Sequence, residues 1–559
     1  MISSRRCAEK DEANIMFQFD EQVQKQPDTV FLVYRGREWT RKQTAETVLK
    51  VGNHLFCRTN GSDIVAIDFT NKPTMVFALM GVIAIGAWPA FLNYNLTGKS
   101  LVHCVKISNA KIILVDEEVA SAINSVRSEI TTDIYIYNTS RLNDQIIGGC
   151  STLQPDTILR RGVEPSDTML LIYTSGTTGL PKAAIMPYST ILTASKVISL
   201  WTDLKPPDRV YTCMPLYHAS GLIMGLFSSL VAGTAFVLGH RFSTSSFWEE
   251  IRSSNATIVQ YVGETCRYLL AAPQSHLDKC HNIRAGALGN GLRPDVWEKF
   301  RQRFGIQSIL EFYATTEGIG GYFNYNTGPR GVGAVAHFGK LASILGKSRR
   351  AIVRLDFQTG QLVRGLDGFC VKVGTNETGE LLVRVVVRAY YFKNKEASEK
   401  KIARDVFVKG DIYIRSGDAL RVDEDGFYYF DDRIGDTFRW KGENVSTAQV
   451  SALLGTFPGI LEANVYGISL PNHDEDIDLS LLSDYVKNHL PLFAIPVFLR
   501  FVKEMRITGN NKQLKESLRQ EGADPAHTGG DRMSWFYNSQ YVEFNSSDWQ
   551  RLKNDKARL

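Results

Sequence analysis

The chain has 559 residues, 44% hydrophobic and 22% charged, the balance of a soluble globular protein rather than a disordered one, with room for about three or four domains or lobes. Its 64 basic and 59 acidic residues leave a net charge of +5; that small, well-mixed surplus does not argue for nucleic acid, and it fits anionic small molecules or transient peripheral contact with an acidic membrane without demanding either. Eight cysteines with no C-x-x-C pair and no histidines at zinc spacing speak against a disulfide framework or a zinc site, and read as reduced, mostly buried thiols of an intracellular protein.

In chain order, the opening 20 residues are polar and charged, without the apolar segment of a secretory signal. Short apolar runs and amphipathic stretches then alternate. Residues 31–34 read as a strand, 42–56 as a helix, 64–69 as a strand and 74–85 as a helix. Residues 111–115 and 168–173 read as further strands, and the pattern recurs through 209–214, 221–230, 235–238 and 257–261. Such alternation predicts an α/β fold, parallel sheets covered by helices. Two uncharged apolar runs, 75–92 and 221–238, have 18 residues each, near the lower limit of about 17–25 for a membrane span. Both carry glycines and the first has Pro89, so buried core helices followed by strands are expected. Around 369–384 short strands and glycine turns predict a small β unit. At 418–436 the alternating Phe427, Tyr428, Tyr429 and Phe430 end in a charged, glycine-containing turn, DDRIGD. The residues beyond this turn suffice for one small α/β domain. The last three residues, Ala557, Arg558 and Leu559, are a conservative variant of the S-K-L peroxisomal address read by an import receptor.

The strongest chemical signal is the stretch 173–182, YTSGTTGLPK. A strand runs into a loop with hydroxyls at Thr174, Ser175, Thr177 and Thr178, glycines at Gly176 and Gly179, and Lys182 at its end. Glycines let backbone N–H groups point into a shared concavity, while hydroxyls and lysine add donors and charge, as a triphosphate requires. It is not a Walker A loop, since G-x-x-x-x-G-K-[ST] is absent.

Those ten residues resemble the phosphate loop of the adenylate-forming superfamily of acyl-CoA synthetases, nonribosomal adenylation domains and firefly luciferase. FYATTEG at 312–318 resembles its adenine and magnesium motif, and DDRIGDTFRWKGENVS at 431–446 looks like the hinge signature of the very-long-chain acyl-CoA synthetase and fatty acid transport protein branch. The segments 92–96, 98–104, 214–221 (MPLYHASG), 258–270 and 287–293 (ALGNGLR) resemble that branch too.

The resemblance implies a large N-terminal domain, residues 1–432, of helix-covered sheets plus a small β subdomain, and a small mobile C-terminal α/β domain, 433–559. It also implies roles. Thr174, Ser175, Gly176, Thr177, Thr178, Gly179 and Lys182 would wrap the phosphates of ATP, with Thr174 also counted as catalytic. Tyr313 would stack on adenine, with Thr316 beside it and Gly289, Asn290 and Gly291 passing close to the purine. Glu317, a catalytic candidate, would hold Mg²⁺, which prefers oxygen ligands. Asp418 would accept from the ribose hydroxyls, and Arg433 would add charge-assisted bonds near ribose and phosphate. Lys512 is the catalytic lysine candidate, with Lys515 as fallback. Gly435 is the hinge, and Arg439, Lys441 and Gly442 line the face that admits coenzyme A. Tyr217, His218, Tyr261 and Gly263 would border the acyl pocket, with no proton transfer assigned to His218.

The sequence departs from the family in three places. Ala314 replaces a glycine after the motif tyrosine, Asn511 replaces an aromatic before Lys512, and after Pro471 about a dozen residues including a strand are missing. The leading reading is ATP-dependent activation of a long- or very-long-chain fatty acid, or a similar apolar carboxylate, to its acyl-CoA, by an AMP-forming acid–thiol ligase. The N-terminal membrane segment of many transport-type relatives is lacking, which favours a soluble synthetase. The alternatives are a secondary-metabolism carboxylate–CoA ligase and a membrane-associated fatty-acid uptake or binding protein with weakened catalysis.

Overall fold

The computed structural model describes residues 13–59, 62–137, 150, 152, 159–174, 180–284, 287–315, 321–338, 349–357, 359–384, 391, 392, 394–434, 438–440, 443–445, 447–454, 464–466, 496–502, 518, 521–537 and 540–553. The chain divides into two compact units. The first comprises 1–292, 296–336 and 385–402; the second comprises 293–295, 337–384 and 403–559. Residues 369–384, read from the sequence as a small β unit, fall in the second.

Among the described residues the first unit holds two sheets. One has eight strands in the order Tyr322–Asn326, Ile309–Tyr313, Ala287–Asn290, Ile258–Val262, Arg209–Thr212, Ala235–Leu238, Val30–Tyr34 and Arg37–Thr40, parallel except at its two edges. The other has six: Asp133–Tyr137, Ile112–Asp116, Ile64–Asp68, Trp88–Phe91, Thr168–Thr174 and Lys182–Pro187, with only the last pair antiparallel. Parallel strands need crossovers, so helices cover both faces and the strands read as unbroken apolar runs.

Alternate side chains divide between cores accordingly. Leu32, Val210, Phe236 and Ile258 of the first sheet share a core with Val65, Ile67, Ile112 and Leu114 of the second. Helices Arg41–Phe56, Pro73–Ala84 and Tyr188–Trp201 fill that core. The next residues along, Val33, Tyr211, Val237 and Val259, face a second core with helices Phe247–Ser253, Gly263–Ala271 and Pro294–Phe304. Ala66, Ile113 and Val115 face a third with helix Gly98–Ser108.

The membrane-length runs resolve as expected. All twelve residues of Pro73–Ala84 are buried, which makes that helix apolar all round, and strand Trp88–Phe91 comes after it. In the second run a π-helix, Ser220–Phe227, leads through Ser228–Ala232 into strand Ala235–Leu238. No helix among the described residues is long and apolar enough to cross a membrane.

In the second unit Arg350–Val353, Gly379–Arg384, Ile412–Val422 and Phe427–Arg433 pair antiparallel in that order. Strands Phe438–Trp440 and Glu443–Val445 pair with each other ahead of helix Thr447–Leu454. Further on, Phe498–Phe501, Arg532–Tyr537 and Gln540–Glu543 form a three-stranded sheet beside helix Ser546–Lys553. The shortened stretch after Pro471 and the last three residues lie outside the described residues. Of the seven described cysteines, Cys104, Cys213, Cys266 and Cys370 are buried, and all seven are free thiols.

Candidate active site

Thr174 and Lys182 form the last register pair of the antiparallel strands Thr168–Thr174 and Lys182–Pro187. The chain thus leaves this rung at Thr174 and returns to it at Lys182. Thr174 Oγ1 lies 3.5 Å from the Lys182 carbonyl, and the Lys182 ammonium sits 5.4 Å from the centre of the Tyr391 ring. Ser175, Gly176, Thr177, Thr178 and Gly179 lie outside the described residues. Helix Gly98–Ser108 anchors both shoulders of the hairpin. Tyr173 Oη donates to the Cys104 carbonyl at 2.8 Å, and His103 Nε2 reaches the Pro181 carbonyl at 3.0 Å. Neither Tyr173 nor His103 carries a role assigned from the sequence, although they lie in two segments that stand out there, 173–182 and 98–104.

The second cluster sits where three parallel strands end together, the edge at which α/β sheets bind ligands. Tyr261, Gly289 and Glu311 are register partners on adjacent strands. Tyr261 Oη donates across Gly289 to Glu311 Oε2. This explains the glycine, because a Cβ at 289 would stand 2.7 Å from the Tyr261 ring and 2.3 Å from its carbonyl. Glu311 Oε1 accepts the Leu292 N–H at 3.0 Å, and burial pushes its carboxyl up to about 8. Asn290 pairs with Val262. Gly263 packs so closely that a Cβ there would be 1.9 Å from the Gly291 carbonyl. Two residues beyond Glu311, Tyr313 is buried edge-on to Tyr322, with ring centres 5.6 Å apart. Tyr261 and Gly263, assigned from the sequence to the acyl side, and Gly289, Asn290 and Tyr313, assigned to the purine, therefore occupy one strand-end cluster. Thr316 and Glu317 lie outside the described residues, and among those described no group of three or more His, Cys, Asp or Glu could hold a metal ion.

Tyr217 and His218 are elsewhere in the first unit. The Tyr217 hydroxyl accepts from Asn95 Nδ2 at 3.3 Å, and its ring meets Tyr94 edge-on at 5.1 Å. His218 packs against Tyr217 with ring centres 4.5 Å apart. Burial pushes both phenols up, Tyr94 to about 12, so they remain uncharged. Asn71 holds the turn before them: Nδ2 donates to the Met214 carbonyl at 2.9 Å and the Gly239 carbonyl at 3.1 Å, and Oδ1 accepts the Leu216 N–H at 3.0 Å.

In the second unit Gly417, at φ +78°, bends strand Ile412–Val422, a conformation that glycine adopts without cost. Its N–H donates to buried Glu380 at 3.0 Å, and Glu380 is also held by Arg415 at 2.6 Å. The next residue, Asp418, pairs in register with Arg433, whose Nε is 3.9 Å from Asp418 Oδ1. The structure thus sets these two side chains next to each other. Arg439 is on strand Phe438–Trp440, but its side chain, together with Gly435, Lys441, Gly442, Lys512 and Lys515, lies outside the described residues.

The AMP-binding enzyme family matches residues 19–391, which includes the hairpin and the strand-end cluster. This chain belongs to that family. It is 38% identical, over 97% of its length and 88% of the relative's, to a very long-chain fatty acid transport protein of Cochliobolus heterostrophus. It is 36% identical to isopenicillin N epimerase component 1 of Hapsidospora chrysogena, over 99% and 92% of the two chains. Among solved structures, an anthranilate CoA ligase in complex with anthranoyl-AMP superposes with a TM-score of 0.74, at 20% identity over 91% of this chain and 96% of that one. This AMP-binding enzyme shares that mixed α/β architecture.

Proposed function

We propose that this AMP-binding enzyme activates a long- or very-long-chain fatty acid, or a similar apolar carboxylate, in two steps. A carboxylate oxygen attacks the α-phosphorus of ATP and expels pyrophosphate. The sulfur of coenzyme A then attacks the acyl carbonyl, forming acyl-CoA and releasing AMP. The observation that carries this reading is the Thr174–Lys182 rung, which closes a glycine- and hydroxyl-rich loop inside the segment matching the family.

Bringing two anions together calls for cations and donors more than for an acid or base. Thr174 and Lys182 supply them at the mouth of the loop, with Ser175, Gly176, Thr177, Thr178 and Gly179 along it. Tyr313 presents an aromatic face to the base beside Gly289, Asn290 and Thr316. Asp418 accepts from the ribose and Arg433 adds positive charge, with Arg439 nominated for the thioester-forming face. Glu317 is the residue nominated to hold Mg²⁺, which when bound shields phosphate charge. The acyl chain is assigned to the surroundings of Tyr217 and His218, with Tyr261 and Gly263 as further candidates. Uncharged Tyr94 and Tyr217 suit an apolar chain.

Residues 433–559 form the small domain that carries Lys512 and turns about Gly435. The C-terminal Ala557, Arg558 and Leu559 are read by a peroxisomal import receptor; otherwise the protein is cytoplasmic or peripheral to a membrane. The 36% identical isopenicillin N epimerase component supports a second reading, a carboxylate–CoA ligase of secondary metabolism. The transport-protein relative keeps a membrane-associated uptake role as a third.

Purified protein given ATP, Mg²⁺, coenzyme A and a panel of carboxylic acids separates these readings. Long-chain acids are expected to give the fastest release of pyrophosphate and acyl-CoA, and no product with any acid would refute the ligase reading. Lys512→Ala is expected to slow adenylate formation by about 100-fold or more, the scale of losing a positioned charge stabiliser. An unchanged rate would remove Lys512 from the site.

A further inference from the structure

Glu311 carries a buried carboxyl group in the strand that ends at Tyr313, and the two-step reaction leaves it without a role. Its oxygens are committed on two sides. Oε2 accepts the Tyr261 hydroxyl, and Oε1 accepts the Leu292 N–H at 3.0 Å. The first bond spans three strands, because Tyr261, Gly289 and Glu311 are consecutive register partners. The second fixes the turn that leaves Asn290. Gly263 closes on the same turn, with a Cβ position 1.9 Å from the Gly291 carbonyl. The backbone from Gly289 to Leu292 is therefore held by three contacts: the Tyr261 ring against Gly289, Gly263 against the Gly291 carbonyl, and Glu311 on the Leu292 N–H.

We propose that Glu311 is a positioning residue for the nucleotide base: it strings Tyr261 across Gly289 and pins Leu292, and so sets where Asn290 and Tyr313 meet the purine. The proposal rests on the adenylation reading of this site. It predicts that loosening the clamp weakens nucleotide recognition far more than acid binding, which is assigned chiefly to the surroundings of Tyr217 and His218. A residue that merely supports the fold would instead lower stability without changing selectivity among substrates.

The test compares wild type with Glu311→Gln and Tyr261→Phe. Glu311→Gln keeps the shape but presents an amide nitrogen where one of the two accepting carboxyl oxygens stands, and leaving a buried donor badly satisfied is expected to raise KM for ATP about tenfold. KM for the fatty acid is expected to stay within about twofold, and the preference for ATP over GTP to fall. Tyr261→Phe removes only the hydroxyl and is expected to shift KM for ATP in the same direction. Thermal unfolding with and without Mg²⁺–ATP gives a second readout, a smaller nucleotide-induced rise in Tm for both variants. If wild type responds to ATP and both variants keep its KM and Tm shift, the clamp is wrong. Equal rises in KM for ATP and acid would also overturn it. No response to ATP in wild type would sink the nucleotide reading itself.

Discussion

Asp68 ends strand Ile64–Asp68 in the middle of the six-stranded sheet with its side chain almost wholly enclosed. Its Oδ1 finds no hydrogen-bond partner among the described residues. Neighbouring Asp116 is already engaged by the Thr70 hydroxyl at 2.6 Å and the Lys72 ammonium at 3.0 Å. Burial above all, and then the nearness of Asp116, pushes the Asp68 carboxyl up to about 7. Folding thus holds a proton that the unfolded chain gives up near its ordinary value of 3.8. The associated stability is complete below that value and is lost as pH rises through about 7. Asp68→Asn, uncharged throughout, is expected to flatten the fall in urea midpoint between about pH 4 and 8 and to be relatively more stable at the upper end. Parallel pH profiles for the two proteins would show that Asp68 is not the group that titrates. Glu311, raised for the same reason, is a second contributor over an overlapping range.

Among the elements, helix Thr447–Leu454 depends on a cap drawn from a distant strand. The Thr447 N–H donates to Asp432 Oδ2 at 2.6 Å, and the Thr447 hydroxyl reaches the same carboxylate at 3.1 Å. Asp432 precedes the proposed hinge at Gly435 and Thr447 lies beyond it. Helix N-termini leave unsatisfied donors, and a carboxylate there also meets the positive end of the helix dipole. Asp432→Ala is expected to cost about 1 kcal/mol. Hydrogen exchange should quicken at the amides of Thr447–Leu454 and stay unchanged in the eight-stranded sheet. Unaltered exchange in that helix would show that Asp432 does not anchor it.

On the scale of the whole molecule, stability is divided between units with separate cores. The end of the second unit packs Ala523, Met533, Trp535, Phe544, Trp549 and Leu552 into a small cluster. Trp535 is almost fully buried, with its ring 5.2 Å from Phe544. Truncating it to alanine is expected to remove about 3–5 kcal/mol, more than so small a cluster can absorb. Multi-domain chains unfold in more than one step. Calorimetry of Trp535→Ala is therefore expected to show one transition moved to lower temperature and the transition of the first unit in place. A uniform downward shift of all transitions would mean that the units unfold together.

Much of the fold was legible in the sequence. The strand readings at 64–69, 168–173 and 235–238 and the helix at 42–56 fall within about a residue or two of the structure. A strand buried on both faces must be apolar throughout, and that property is written locally. Local composition also singles out the YTSGTTGLPK stretch, whose glycines and hydroxyls carry the phosphate proposal. Register was not legible. Nothing near Tyr261 indicates that Gly289 and Glu311 will be its neighbours, for pairing is settled only when the strands assemble on a common core. The return strand that begins at Lys182, the Asp432 cap on a helix beyond the hinge and the enclosed carboxyl of Asp68 belong to the same class. The chemical repertoire is a property of residue types and their spacing, whereas the partner of each group, and the charge it holds at a given pH, depends on contacts between segments far apart in the chain.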